Sequence, residues 1–146
     1  MNQNKEVFLI TGGHHTDERG KLSFFNDFDM APVRRFYVIE HPDTNIVRAW
    51  QAHQQEQKWL YVVKGSFKVV VVKPDHWEKP SEKLLTNEFI LQSDCNQLLH
   101  IPGGYANGFK ALEANSKLML FSDFSIADAG KDDFRFDKTL WYDWDK

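Results

Sequence analysis

Four consecutive valines, Val69-Val70-Val71-Val72, constrain this chain more than any other stretch. A branched Cβ stiffens χ1 and favours extended backbone, and successive side chains of a strand leave opposite faces. A run that is apolar at every position therefore asks for a strand covered on both sides. Short β-forming runs surround it, at residues 6–10, 21–26, 34–40, 45–53, 57–64, 67–73, 83–87, 98–101, 108–112 and 118–124. Turn residues separate them: Gly12-Gly13, His41-Pro42-Asp43, Lys64-Gly65-Ser66, Lys73-Pro74-Asp75 and Pro102-Gly103-Gly104. Many short strands at this spacing predict an all-β chain, folded as an antiparallel sandwich or barrel. A helical turn could fit at 78–85 or 127–133. The aromatic tail, 134–144, is expected to pack back on the body or on a second subunit.

At 146 residues the chain is long enough for one real core, and no repeat, low-complexity segment or Pro/Gly/Ser linker divides it. Residues 1–146 are expected to form a single domain. A net charge of −3 with scattered basic residues gives no field that would draw it to nucleic acid or an anionic membrane. Cys95 stands alone and cannot form an internal disulfide, which fits a reducing compartment. No apolar run reaches the roughly 18 residues of a membrane span, and the N-terminus lacks a signal-peptide core. A soluble cytoplasmic protein is the expectation. Five Trp and twelve Phe suit a β-sandwich or barrel, or an aromatic pocket or interface, without choosing among them.

Two segments carry chemistry. Val47-Arg48-Ala49-Trp50-Gln51-Ala52-His53 reads as a strand ending on a histidine, and His100-Ile101-Pro102-Gly103-Gly104-Tyr105-Ala106-Asn107-Gly108-Phe109 is built around a Pro-Gly-Gly turn. Regular alternation puts Gln51 and His53 on one face and Arg48 and Trp50 on the other, while Arg35 and Tyr37 share a face. Such a set can remove a proton from carbon beside a ketone. An imidazole titrates near neutrality and can take the proton, a cation or hydrogen-bond donor steadies the enolate oxygen, and a tyrosine hydroxyl can return a proton elsewhere. Arginine forks match the oxygens of a diphosphate. The plainer reading of His53 is a core histidine bonded to a neighbour. His14 and His15 point to opposite faces of any strand, and His41, His76 and His100 lack ligand-like neighbours. Each of these five reads as a surface or locally hydrogen-bonded histidine.

Several motifs resemble a known family. Asp17-Glu18-Arg19-Gly20-Lys21-Leu22 resembles the Asp-x-Arg-Gly opening of the dTDP-4-dehydrorhamnose 3,5-epimerase superfamily. Arg34-Arg35-Phe36-Tyr37-Val38-Ile39 and Val47–His53 are similar to strands of the related dTDP-4-keto-6-deoxyhexose 3,4-ketoisomerases, the WxcM-like cupins. Ile101-Pro102-Gly103-Gly104-Tyr105-Ala106-Asn107-Gly108-Phe109 is similar to the epimerases' Pro-x-Gly-Phe-Ala-His-Gly-Phe. The motifs occur in the family's order between residue 17 and about residue 124.

The resemblance implies a cupin, the double-stranded β-helix or jelly-roll barrel. It implies that His53 is the base moving a proton between C3 and C4 of the sugar, with Tyr37 a second acid–base group or an orienting hydroxyl. Arg19 and Arg48 would meet the diphosphate or sugar, and Lys58 would contact substrate. Tyr61, Trp50 and Phe109 would line the sugar or nucleobase surface, and Arg35, Gln51 and Asn107 complete the candidate substrate-binding set. No metal and no cofactor is implied, because the substrate's own ketone acidifies the neighbouring C–H. The partners implied are a dTDP-linked nucleotide sugar and a second copy in a homodimer, with the N-terminal strand exchanged.

The chain departs from these patterns in ways that matter. The usual metal-cupin positions read Gln51, His53, Glu56 or Gln57, and Asn107. One imidazole and one carboxylate make a poor transition-metal site, since amide oxygens are weak ligands. The epimerases' own base position is Gln51, their tyrosine acid falls on Met119 or a neighbour, and Ala49 replaces the motif glycine after Arg48. The expected reaction is therefore 3,4-keto isomerisation of a dTDP-4-keto-6-deoxyhexose. A 3- or 3,5-epimerase and a non-catalytic sugar-nucleotide-binding cupin are the alternatives.

Overall fold

The computed structural model describes residues 6–146. Two five-stranded sheets face each other, and every neighbouring pair is antiparallel. The first runs β1 (Phe8–Thr11), β9 (Gln97–Ile101), β6 (Lys58–Lys64), β11 (Ser116–Ser122), β4 (Arg35–His41). The second runs β12 (Phe134–Arg135), β5 (Val47–His53), β10 (Tyr105–Ala111), β7 (Ser66–Val72), β8 (Thr86–Gln92). The chain alternates between the sheets in the manner of a jelly roll. The all-β expectation holds, with one refinement: the sheets remain an open sandwich and do not close into a hydrogen-bonded barrel. A hairpin, β2 (Gly13–Asp17) and β3 (Gly20–Phe24), stands apart as its own two-stranded sheet. β1 pairs with β9 of its own chain.

Apolar residues fill three layers. Between the sheets lie Leu60 and Val62 of β6, Leu118 and Leu120 of β11, Phe67, Val69 and Val71 of β7, Leu91 of β8 and Phe109 of β10. The other two valines, Val70 and Val72, face outward with Trp50, Ala52 and Ala106. The tail covers them with Phe134, Phe136, Tyr142 and Trp144. All four valines are buried, as their pattern requires, each at about 1.5–3 kcal/mol of transfer free energy. The outer face of the first sheet carries Trp59, Leu98 and Tyr61 under Phe25, Phe28 and Val33.

Some sequence-based boundaries move. The strand expected at 83–87 lies instead at Thr86–Gln92, where Phe89 and Leu91 pair with Val69 and Phe67. The Asp75 carboxylate holds the preceding loop by accepting the backbone N–H groups of His76 and Ser81. Gly13 opens β2 rather than ending a turn. Of the two places for a helical turn, only 127–133 has one, as α1 (Ile126–Ala129) followed by a 3-10 turn (Gly130–Asp132). His41 is neither exposed nor bonded. Alternation along β4 turns Arg35, Tyr37, Ile39 and His41 inward, so its ring is buried against Phe67 and Phe109 with neither nitrogen partnered. Among the described residues, no helix is long and apolar enough to cross a membrane.

β5 is irregular, and this decides where its side chains point. Gln51 pairs with Asn107 and Arg48 with Phe109, so Ala49 and Trp50 together oppose Gly108 alone. Two residues against one is a β-bulge. Ala49 and Trp50 both face the tail, and Arg48 therefore returns to the face of Gln51 and His53. The expectation that Arg48 shares a face with Trp50 fails because regular alternation does not survive the extra residue. Gly108 is needed here, since a Cβ on it would lie 2.7 Å from Ala49 Cβ and 2.7 Å from Trp144 Cζ2. Gly108→Ala is expected to destabilise the fold by about 1–3 kcal/mol through overpacking, read as a lower denaturant midpoint.

His100 adds a pH dependence. Its ring stacks on Trp59 at 4.9 Å and its Nε2 meets Gln57 Oε1 at 2.8 Å, and burial lowers its pKa to about 4. The unfolded chain protonates this histidine near 6.5, while the folded chain leaves it bare down to about 4. Unfolding then takes up a proton in that window, so stability is complete above pH 6.5 and falls with acid by an amount on the order of 3 kcal/mol. His100→Gln should flatten that limb in urea titrations run from pH 7 to pH 4.

Candidate functional site

Inward-facing polar residues collect at one end of the sandwich. A cavity of about 400 Å³ opens there, lined by Arg35, Tyr37, Arg48, Gln51, His53, Glu56, Lys58, Asn107 and Phe109, with Asp133 and Arg135 at its edge. Register explains the set. On β10, Asn107 lies opposite Gln51 and Phe109 opposite Arg48, and on β12, Arg135 lies opposite Gln51, so these pairs share the cavity face. Ile126, Ala129 and Gly130 contribute to the wall from the helical turn. Four cations, Arg35, Arg48, Lys58 and Arg135, face two carboxylates, Glu56 and Asp133, which suits an anionic ligand.

His53 is the best-defined group. It is 6% exposed, and its Nδ1 lies 2.7 Å from the backbone carbonyl of Asp132. A carbonyl can only accept, so Nδ1 carries the proton and donates it. Nε2 is left as the bare acceptor nitrogen, buried and without a partner. Glu56 Oε1 lies 3.6 Å from Nδ1, too far for a hydrogen bond, and acts as a charge. The imidazole pKa is lowered, first by burial and then by the Lys58 charge, against the raising effects of the Asp132 hydrogen bond and the charges of Glu56 and Asp132. A neutral ring near pH 7 with one free nitrogen is the protonation state a general base needs.

Around it the hydrogen bonds run in a defined direction. Lys58 Nζ donates to Tyr37 Oη at 3.0 Å, leaving the phenolic proton free. The Arg35 guanidinium lies 5.0 Å from the Tyr37 ring centre, and its Nε donates to the Phe124 carbonyl at 3.0 Å. Glu56, also buried, accepts from Ser122 Oγ at 2.7 Å and from Arg35 at 3.4 Å. Much of Arg35 is thus spent on protein neighbours. The Arg48 side chain makes no hydrogen bond or ion pair with the described residues.

Three candidates, Tyr61, Arg19 and Trp50, fall outside this set. Tyr61 differs from Lys58 by an odd number of positions on β6, so it faces the outer layer, 5.2 Å from the Phe25 ring. Arg19 sits at the tip of the β2–β3 hairpin, exposed, with its guanidinium 2.7 Å from Asp17. Trp50 packs outward and gives its indole N–H to the Leu140 carbonyl at 2.9 Å. Met119 likewise faces outward, opposite Tyr61, while its neighbour Leu120 lines the cavity. The residues that the sequence reading did not single out are Glu56 as a buried acid, Asp132, Asp133 and Arg135. Asp132 is 79 positions from His53, and nothing local in the sequence marks such a contact. Among the described residues, no three His, Cys, Asp or Glu side chains are grouped so as to hold a metal ion. A wider groove of about 830 Å³ lies between the 82–85 loop and the C-terminal tail, but it contains no histidine.

A family model described as FdtA, WxcM-like, C-terminal, matches residues 5–139. The chain belongs to the WxcM-like family. This WxcM-like chain is 26% identical over 111 residues to the probable low-salt glycan biosynthesis epimerase Agl13 of Haloferax volcanii, covering 73% of itself and 69% of that protein. Its structure is similar to the rmlC epimerase of Mycobacterium tuberculosis, with a TM-score of 0.75 and 22% identity over 99% of this chain and 76% of the other. It is also similar to QdtA, a sugar 3,4-ketoisomerase of Thermoanaerobacterium thermosaccharolyticum in complex with TDP. There the TM-score is 0.71 at 20% identity, over 92% of this chain and 90% of the other. The fold is that of the RmlC-like cupins.

The electrostatics can be checked without substrate. His53 should titrate below the ordinary 6.5 in NMR, and Lys58→Met should move that titration upward, because removing a nearby cation makes the imidazolium less unfavourable.

Proposed function

We propose that this WxcM-like protein is a nucleotide-sugar isomerase that interconverts 4-keto and 3-keto forms of a dTDP-linked 6-deoxyhexose by acid–base catalysis. The observation that carries the reading is the bare Nε2 of His53, fixed by the Asp132 carbonyl on the opposite nitrogen, in a cavity with an excess of cations. The similarity to QdtA, a sugar 3,4-ketoisomerase in complex with TDP, and to Agl13, a probable glycan biosynthesis epimerase, supports the substrate class and leaves the choice between isomerisation and epimerisation to chemistry.

In this reading His53 Nε2 takes the proton from C3. The C–H electrons move into a C3–C4 double bond, and the C4 ketone oxygen takes up the negative charge. Lys58 and the Tyr37 hydroxyl, bonded to each other, are placed to steady that oxygen and to supply its proton. The imidazolium returns a proton to C4, and loss of the O3 proton leaves the ketone at C3. The product is an isomer, and the hydrogens balance with none left over. Arg48 and Arg135 at the open edge hold the diphosphate. The Phe109 ring offers an apolar wall to the sugar. The reading keeps a homodimer as its assembly, in which the exposed Leu22, Phe36 and Val38 side chains would be covered.

His53→Asn should lower kcat by roughly 10²–10⁴-fold while the affinity for dTDP stays unchanged in calorimetry. Full turnover by that variant would remove His53 from the mechanism.

A further inference from the structure

Asp132 is 6% exposed and uses both of its oxygen-bearing groups at once. Its carboxylate accepts three successive backbone N–H groups, from Gln54 at 2.8 Å, Gln55 at 2.7 Å and Glu56 at 2.8 Å. Consecutive amides converging on one anion form a nest, and hydrogen bonds to a charged acceptor are the stronger kind. Its backbone carbonyl, on the same residue, accepts the Nδ1 proton of His53.

The turn that carries those amides follows directly after His53, and it is held from the other side too. A Cβ on Gly103 would lie 2.6 Å from the Gln54 carbonyl oxygen and 2.8 Å from that of Gln55. Gly104 N–H donates to the His53 carbonyl at 2.8 Å. The amide face of the turn therefore meets Asp132, and its carbonyl face meets the Pro102-Gly103-Gly104 turn with no room for a side chain. The main chain on both sides of the imidazole is fixed.

We infer that Asp132 is the positioning residue of this site: its carboxylate locks the turn after His53, and the lock keeps its own carbonyl on Nδ1, so that Nε2 is the nitrogen offered to substrate. The inference rests on the reading of His53 as the base. Asp132 does not line the cavity, so it acts through His53 and not on substrate. The consequence is a division of labour between two adjacent acids. Asp133, at the cavity edge, is paired with Arg135 at 2.8 Å, while Asp132 faces inward to the backbone.

The test is ¹⁵N NMR of the His53 ring in the full-length protein, alongside steady-state kinetics. In the unaltered protein the neutral ring should be a single tautomer with its proton on Nδ1. A ring protonated on Nε2 would overturn the inference with no variant needed. Asp132→Asn keeps the volume but sets an NH2 group against backbone donors. It should produce a mixture of tautomers and lower kcat by about 10²-fold through misplacement, with KM changed less than roughly twofold. An Asp132→Asn protein with the single Nδ1 tautomer and normal kcat would also overturn it. A merely structural role would alter neither the tautomer nor the split between kcat and KM. If His53→Asn stays active while Asp132→Asn still shifts the tautomer, the base assignment fails and the positioning survives. If His53→Asn is inactive and the tautomer does not move, the positioning alone fails.

Discussion

The second sheet has to be covered on both faces, and much else follows from that. Val69 and Val71 face the first sheet, and Val70 and Val72 face away from it. An uncovered outer face would leave Trp50, Ala52, Val70 and Val72 in water. The C-terminal segment supplies the cover, and to reach that face it must cross the end of β5. Its path there is the pairing of β12 with Ala52 and Gln51, reinforced by two backbone hydrogen bonds between Trp50 and Phe136. The residues just before it, Asp132 and Asp133, are thereby delivered to His53. A packing requirement in the middle of the chain thus completes a polar site whose histidine lies 79 positions before Asp132.

The site itself is a balance of burial and charge. Burial disfavours the protonated imidazole of His53, and Lys58 disfavours it further, while Glu56 and Asp132 oppose both. Buried carboxylates are costly unless hydrogen-bonded. Here Glu56 is held by Ser122 and Arg35, and Asp132 by three amides. The groups facing the cavity divide accordingly into those committed to protein partners, such as Arg35, and those left for a ligand, such as Arg48.

Much of this was legible in the residues. The valine run required a doubly covered strand, and the short runs between turn residues required antiparallel sheets. Parity put Arg35 with Tyr37 on one face of β4 and Gln51 with His53 on one face of β5, and in the structure both faces line the same cavity. The same rule applied to β6 would have separated Tyr61 from Lys58. Parity misled at Arg48, because the bulge depends on the partner strand, where Gly108 alone opposes two residues. The resemblance to sugar-nucleotide epimerases suggested Arg19, which the hairpin carries away from the cavity within one chain. Asp132 and Arg135 were invisible for a different reason. Each owes its place to pairing across a long sequence separation, which no local pattern records.

The proposed role of His53 makes a direct chemical demand, that solvent hydrogen exchange with carbon next to the substrate ketone. The most direct measurement is to incubate the protein with dTDP-4-keto-6-deoxyglucose in D₂O and follow the carbon-bound protons by NMR. The account predicts deuterium at C3 of recovered substrate and at C4 of a 3-keto product, with the C5 proton untouched. Exchange at C5 as well, or no exchange at any carbon, would contradict it.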